Sequence, residues 1–161
     1  MFHRLPPGIT LFQPDVLLST WFGSGLIAFA SGTWGSLAAL PFAFVIAYYF
    51  TPLALIPASI LIFLVGLWSS GSFAKKLGKK DPSPVVIDEV AGMWLTLALL
   101  PTSPLAYLIG FLVFRVADIV KPWPANWADR ELPGGIGIML DDMISGLYCM
   151  VALWALFKWV L

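Results

Sequence analysis

An all-α, polytopic bundle of about five membrane-crossing helices is the architecture this sequence predicts, and three observations predict it. Of 161 residues, 60% are hydrophobic and only 11% charged, with a mean hydropathy of +0.90, far more apolar than a water-soluble domain of this length. The apolar residues fall into stretches of the length that a hydrocarbon core demands, roughly 17 to 25 residues. The charged residues collect at one end of those stretches. Formal net charge is zero, so no basic field points to nucleic acid. With no repeat or low-complexity tract, a single domain over residues 1–161 is expected.

Taken in order, the apolar piece from Val16 to Ala30 is interrupted by Ser19, Thr20, Gly23, Ser24 and Gly25. It predicts an interfacial or re-entrant helix rather than a crossing. Ala28-Phe29-Ala30 has the small-residue spacing of a signal-peptidase site, but Asp15 and Pro6-Pro7-Gly8 fit a signal sequence poorly, so retention of the N-terminus is expected. Trp34 to Phe50 and Leu53 to Ala74 are the first two spans. Val85 to Leu100 and Leu105 to Val120 are shorter. Between them Pro101 and Pro104 bracket a tight turn, because proline removes a backbone donor and restrains the residue before it. Met143 to Leu161 is the fifth span.

The N-terminus and the linkers 75–84 and 121–142 hold Arg4, Lys75, Lys76, Lys79, Lys80, Lys121 and Arg130, with Arg115 close by; only Lys158 falls at the other end. The positive-inside rule makes the lysine-rich end cytoplasmic. All the acids map there too, from Asp15 to Asp142, while the turns at Thr51-Pro52 and 101–104 carry no charge.

Three spans each bring carboxylates to the same depth. Asp88-Glu89 opens the third, Asp118 ends the fourth, and Asp141-Asp142 opens the fifth. Acids in a first helical turn can simply complement the helix dipole. Paired acids entering hydrocarbon on several spans, however, need a metal or cation to neutralise them. Arg115, Asp118 and Lys121 are spaced three apart, on nearly one helical face, before Pro122 stops the helix. As a plain structural feature this is an ion pair with a snorkelling lysine; as chemistry it is a phosphate clamp beside a metal ligand. Thr33 and Ser36, in Gly32-Thr33-Trp34-Gly35-Ser36, precede the first span where a helix N-terminus can meet an anion. Gly134-Gly135-Ile136-Gly137 reads first as a flexible loop.

Oxygen ligands of this kind suit hard divalent cations such as Mg²⁺. Zinc is disfavoured, since His3 is the sole histidine and Cys149 the sole cysteine. The same scarcity excludes a phosphohistidine mechanism, and Ala155 in place of arginine six residues after Cys149 excludes a cysteine-phosphatase loop. No Asp-x-Asp pair is present. Any phosphatase chemistry here must rest on metal and carboxylates.

The order of these blocks, namely Gly32 to Ser36, then Asp81-Pro82 with Val85-Val86-Ile87-Asp88-Glu89 and Gly92, then Phe114-Arg115-Val116-Ala117-Asp118-Ile119 with Lys121-Pro122-Trp123-Pro124, then Gly137-Ile138-Met139 with Asp141-Asp142 and Gly146, resembles the phosphatidylglycerophosphatase A family over roughly residues 30–147. Ala117 stands where a larger apolar residue is expected. The resemblance implies a Mg²⁺-dependent enzyme of bacterial inner membranes that converts phosphatidylglycerophosphate to phosphatidylglycerol. On that basis Asp88, Glu89, Asp141 and Asp142 are the expected metal ligands. Asp88, Asp118 and Asp142 are the expected catalytic acids, with Asp118 as general base or nucleophile. Thr33, Ser36, Arg115 and Lys121 are the expected phosphate contacts. A transporter or channel would require acids through the membrane or on both faces, and a lipid phosphotransferase a longer Asp-rich helix motif; a structural subunit leaves the acids unexplained.

Overall fold

The computed structural model describes residues 2–159, so Val160 and Leu161, which end the expected fifth span, lie outside the described residues. The described residues form seven α-helices: α1 (Pro14–Ser19), α2 (Ser31–Tyr49), α3 (Leu55–Leu77), α4 (Ile87–Leu97), α5 (Pro104–Val120), α6 (Ala125–Glu131) and α7 (Gly134–Trp159). Among the described residues there is no β-strand beyond one isolated bridge, Phe2 to Ile27. The all-helical expectation therefore holds. Ser31–Tyr49, Pro52–Leu77 and Gly134–Trp159 are each long and apolar enough to cross a membrane. The two spans expected to be short are α4, of 11 residues, and α5, of 17.

The shortest of these helices sits at the centre. Nine of the 11 residues of α4 are buried, as a helix that is apolar all round must be. It packs against α7, α3, α2 and α5. At 1.5 Å per residue it rises only about 16 Å, but its neighbours surround it with protein. The starts of α2 and α4, the end of α5 and the first turns of α7 line one cavity. Thr51, Leu100 and Lys158 line another at the opposite end. Five helices thus alternate in direction, and the chemistry lies at one pole. At the other pole, Lys158 Nζ lies 4.8 Å from the centre of the Trp154 ring, a snorkelling arrangement with an aromatic partner.

Two glycines set the central contact. A Cβ on Gly146 would lie 2.5 Å from the Gly92 carbonyl oxygen, and one on Gly92 would lie 2.6 Å from the Asp142 carbonyl oxygen. Helices α4 and α7 therefore touch backbone to backbone, as small residues permit in membrane bundles. Thr96 donates its hydroxyl within α4 to the Gly92 carbonyl at 2.9 Å and reaches across the contact to the Gly146 carbonyl of α7 at 3.5 Å.

Helix α7 begins at Gly134, nine residues before the expected start at Met143. Gly134-Gly135-Ile136-Gly137 is its first turn and not a loop. The cause is packing: Cβ atoms at 135 and 137 would strike the Leu67 and Leu132 carbonyls, so these glycines let the helix start against neighbouring backbone despite their low helix propensity. Asp141 and Asp142 consequently fall in the third turn, which removes helix capping as their explanation.

Among the described residues, the N-terminal segment forms no helix long enough to cross a membrane. α1 is six residues long, and the chain then turns through positive φ at Trp21, Phe22 and Gly23. Asp15 fastens α1 to α3. Lys76 lies 2.7 Å from its carboxylate, and Ser72 donates to it at 2.7 Å. Burial alone would raise the Asp15 carboxyl, but the Lys76 and Ser72 contacts outweigh it and hold the group below the usual carboxylate range. A depressed folded value means stabilisation that is complete above the unfolded pKa and lost as pH falls through the folded one. Asp15→Asn should lower detergent-solubilised stability by about 1–2 kcal/mol at neutral pH. In thermal melts, the difference from wild type should shrink on acidification below about pH 4.

Candidate functional site

The acids reach their positions through the glycine contact. Asp88 lies one turn before Gly92 and Asp142 one turn before Gly146, so each carboxylate shares a face with the glycine where α4 and α7 touch. Ligand oxygens of Asp88, Glu89 and Asp142 all lie within 4.8 Å of one another, near enough for one cation to bridge them. No basic side chain approaches Asp88 or Asp142 within ion-pair distance among the described residues, and Arg115 stands 4.0 Å from Glu89. Asp88 Oδ1, Glu89 Oε2 and Asp142 Oδ2 are buried without a hydrogen-bond partner. Burying unpartnered carboxylate oxygens is costly. These orphaned acceptors, offered by oxygen-only side chains, fit a hard divalent cation.

Beside this triad lies a cationic pair. Arg115, on α5, pairs with Asp118 one turn on and donates to Ser36 Oγ at 3.3 Å. The Ser36 hydroxyl in turn donates to the Gly32 carbonyl at 2.9 Å. Ser36 is fully buried and acts on the site by holding the guanidinium. Lys121 does not continue the helical face of Arg115 and Asp118. It is the left-handed cap of α5, with φ 48°. From there it reaches Asp141 Oδ2 at 2.6 Å and Asp129 Oδ1 at 3.2 Å. Burial alone would lower the Lys121 ammonium, but Asp141 and Asp129 outweigh it and hold the group above the usual lysine range. It remains charged through the physiological range.

All these groups open into one cavity of about 300 Å³, lined by six acidic and two basic side chains. The sequence-predicted residues Asp88, Glu89, Arg115, Asp118, Lys121, Asp141 and Asp142 all line it. Asp141 stands with Lys121 rather than in the Asp88–Glu89–Asp142 triad, though its Oδ1 is buried and unpartnered. Thr33 is not among the lining residues. Its neighbours Ser31 and Gly32 are, together with Asp81 and Ser83 from the α3–α4 loop. Gly32 is the residue whose role pattern reading misses: a Cβ there would collide with Glu89 Oε1 and lie 3.0 Å from Arg115. Its position in a glycine-flanked block was the one available signal.

The arrangement sets a carboxylate cluster that fits a divalent cation beside an arginine and a lysine in one polar cavity at one pole of an apolar bundle. Residues 17–157 match the sequence model of the family described as phosphatidylglycerophosphatase A. The chain is 40% identical over 141 residues to phosphatidylglycerophosphatase A of Escherichia coli K12, covering 86% of this chain and 81% of that protein. Against phosphatidylglycerophosphatase A of Haemophilus influenzae it is 34% identical, over 95% of this chain and 94% of the relative. A Bacteroides thetaiotaomicron protein provisionally named a phosphatidylinositol-3-phosphatase is 35% identical, over 91% of this chain and 94% of the relative. No solved structure matches.

Proposed function

The chain belongs to the phosphatidylglycerophosphatase A family, and on that premise we propose that it hydrolyses the terminal phosphate of phosphatidylglycerophosphate in a Mg²⁺-dependent reaction, yielding phosphatidylglycerol and inorganic phosphate. The observation that carries the reading is the buried Asp88–Glu89–Asp142 cluster with its unpartnered oxygens, facing Arg115 and Lys121 across one cavity.

Asp88, Glu89 and Asp142 would hold the ion. When bound, it supplies Lewis-acid polarisation of the phosphoryl group and offsets the negative charge of both cavity and substrate. Arg115 and Lys121 bind the phosphate oxygens by exchanging part of their contact with Asp118 and Asp141 for the substrate, and they spread charge in the transition state. Ser36 keeps Arg115 aimed during that exchange. Asp118 takes a proton from the attacking water as its oxygen bonds to phosphorus. The phosphorus–oxygen bond to the glycerol breaks, and the departing oxygen takes the proton that Asp118 accepted, leaving as the free alcohol. Acid-quench trapping of a phosphoryl group on Asp118 would replace the water route with a covalent one.

We place the protein in the bacterial cytoplasmic membrane, crossing it several times, with the cavity at the inner leaflet. The clustering of lysine and arginine at the cavity pole supports this orientation. It also argues against a transporter, whose acids would extend along a permeation path. The test is release of inorganic phosphate by purified protein in detergent, with phosphatidylglycerophosphate, phosphatidic acid and phosphatidylinositol 3-phosphate offered in parallel, with and without EDTA. Preference for the first, abolished by EDTA and restored by Mg²⁺, is the expected outcome. Equal turnover in EDTA would remove the metal from the mechanism.

Two substitutions extend the test. Arg115→Lys keeps the charge but loses the planar fork that meets both Asp118 and a phosphate; kcat/KM should fall by roughly a hundredfold. Gly32→Ala adds one carbon where Glu89 and Arg115 meet, and a tenfold or greater loss, on the order expected from a 1 Å displacement, should appear in the same assay.

A further inference from the structure

Resting on that lipid-phosphate reading, we propose that an acyl chain of the substrate lies in the groove between α2 and α5, so that the lipid enters the cavity sideways through this seam. The groove encloses about 490 Å³ and is lined by Leu37, Leu40 and Phe44 of α2 and by Leu108 and Phe111 of α5, among others. Its lining is almost wholly apolar, and Leu37, Phe44 and Leu108 remain 43%, 39% and 53% exposed.

What identifies the occupant is continuity with the cavity. On α5, Leu108, Phe111, Arg115 and Asp118 follow one another at three- and four-residue intervals, which makes them a single stripe. The apolar groove therefore passes into the catalytic cavity along one helix face, one turn from Phe111 to Arg115. On α2, Ser31 and Gly32 line the cavity, and the groove begins at Leu37, five residues further along the same helix. Toward the other pole, the Tyr107 hydroxyl donates to the Ala43 carbonyl at 3.4 Å, and its ring meets that of Phe44 edge-on at 5.9 Å, tying the two helices together. The result is a trough, open to lipid, with the phosphate clamp at its head and a floor about 10 Å below at 1.5 Å per residue. A second apolar hollow on α5, lined by Leu112, Val113, Val116 and Val120 among others, shares no lining residue with the groove.

The test compares dipalmitoyl and dihexanoyl forms of the same lipid phosphate in detergent micelles. Leu40→Trp and Leu108→Trp, from opposite walls, should raise KM for the dipalmitoyl lipid about tenfold, the loss expected from displacing roughly two methylenes. They should leave kcat/KM for the dihexanoyl lipid within about twofold. Leu112→Trp, in the other hollow, should leave both substrates near wild type. Equal losses on both chain lengths, no change in either groove variant, or a chain-length effect confined to Leu112→Trp would overturn the proposal. A measurement on the unaltered protein covers the case of a variant that fails to fold. A dipalmitoyl lipid phosphate carrying a diazirine in mid-chain should label residues 37–44 and 104–111, and labelling confined to other helices would overturn the assignment. If the wild-type protein releases phosphate from neither lipid, the hydrolase reading itself falls. If it cleaves both without the expected selectivity, only the groove assignment does.

Discussion

Asp142→Asn should reduce phosphate release from the lipid by at least about a thousandfold, the scale of losing a group that organises transition-state charge, while leaving the metal-free protein as stable as wild type or more so. The two effects have a common cause. Asp88, Glu89 and Asp142 place ligand oxygens within 4.8 Å of one another, and without a cation these carboxylates repel. Asparagine is nearly isosteric and uncharged, so it relieves the repulsion while removing a ligand that a divalent ion needs. A second readout follows: a ligand that binds only the folded state stabilises it by RT ln(1 + [L]/Kd). Mg²⁺ should therefore raise the melting temperature of wild type and fail to raise that of Asp142→Asn. Asp88→Asn should behave alike. Wild-type rates from either variant in excess Mg²⁺ would dismantle the assignment of the site.

Gly146→Leu is expected to be as damaging by another route. It inserts a branched side chain where a single Cβ already meets the Gly92 carbonyl at 2.5 Å, so α4 and α7 must separate. Overpacking of a tight core costs about 1–3 kcal/mol and occasionally more. The catalytic consequence exceeds the stability one, because the contact is what sets Asp88 against Asp142. Gly146→Ala should show a graded version, with activity falling further than thermal stability. If Gly146→Leu inserts normally and hydrolyses the lipid at the wild-type rate, the glycine contact does not position the acids.

The particular successes and failures of pattern reading have physical causes. The carboxylates were legible because a charge on an apolar helix is expensive wherever it lies, so each demanded an explanation before any contact was known. The helix boundaries were legible where proline marked them, as at Pro101 and Pro104. They were not legible at α7, because Gly134-Gly135-Ile136-Gly137 has the local propensity of a loop and becomes helical only through close packing on Leu67 and Leu132. α6 falls within the linker 121–142 that the sequence predicts, since its seven residues carry too little periodicity to separate from a polar connection. The partner of Lys121 was hidden for a similar reason. The residue leaves α5 in a left-handed conformation, which sends it to Asp129 and Asp141 instead of along the helix. Ser31 enters the cavity by the fold alone, and for Gly32 the glycine-flanked block marks a helix start that can face an anion without showing that a carboxylate and a guanidinium meet over it.

The early start of α7 has a consequence for how a greasy molecule reaches a water-dependent reaction. Two full turns of helix precede Asp142, about 12 Å of rise at 1.5 Å per residue, so this carboxylate lies recessed below the start of α7. Withdrawing a fatty tail into water costs about 0.8 kcal/mol for each methylene exposed, and six of them would slow encounter by several thousandfold. On the proposed lipid-phosphatase reading, a recessed reaction centre would avoid that hoist: the tails would stay immersed, and water, small and abundant, would make the descent.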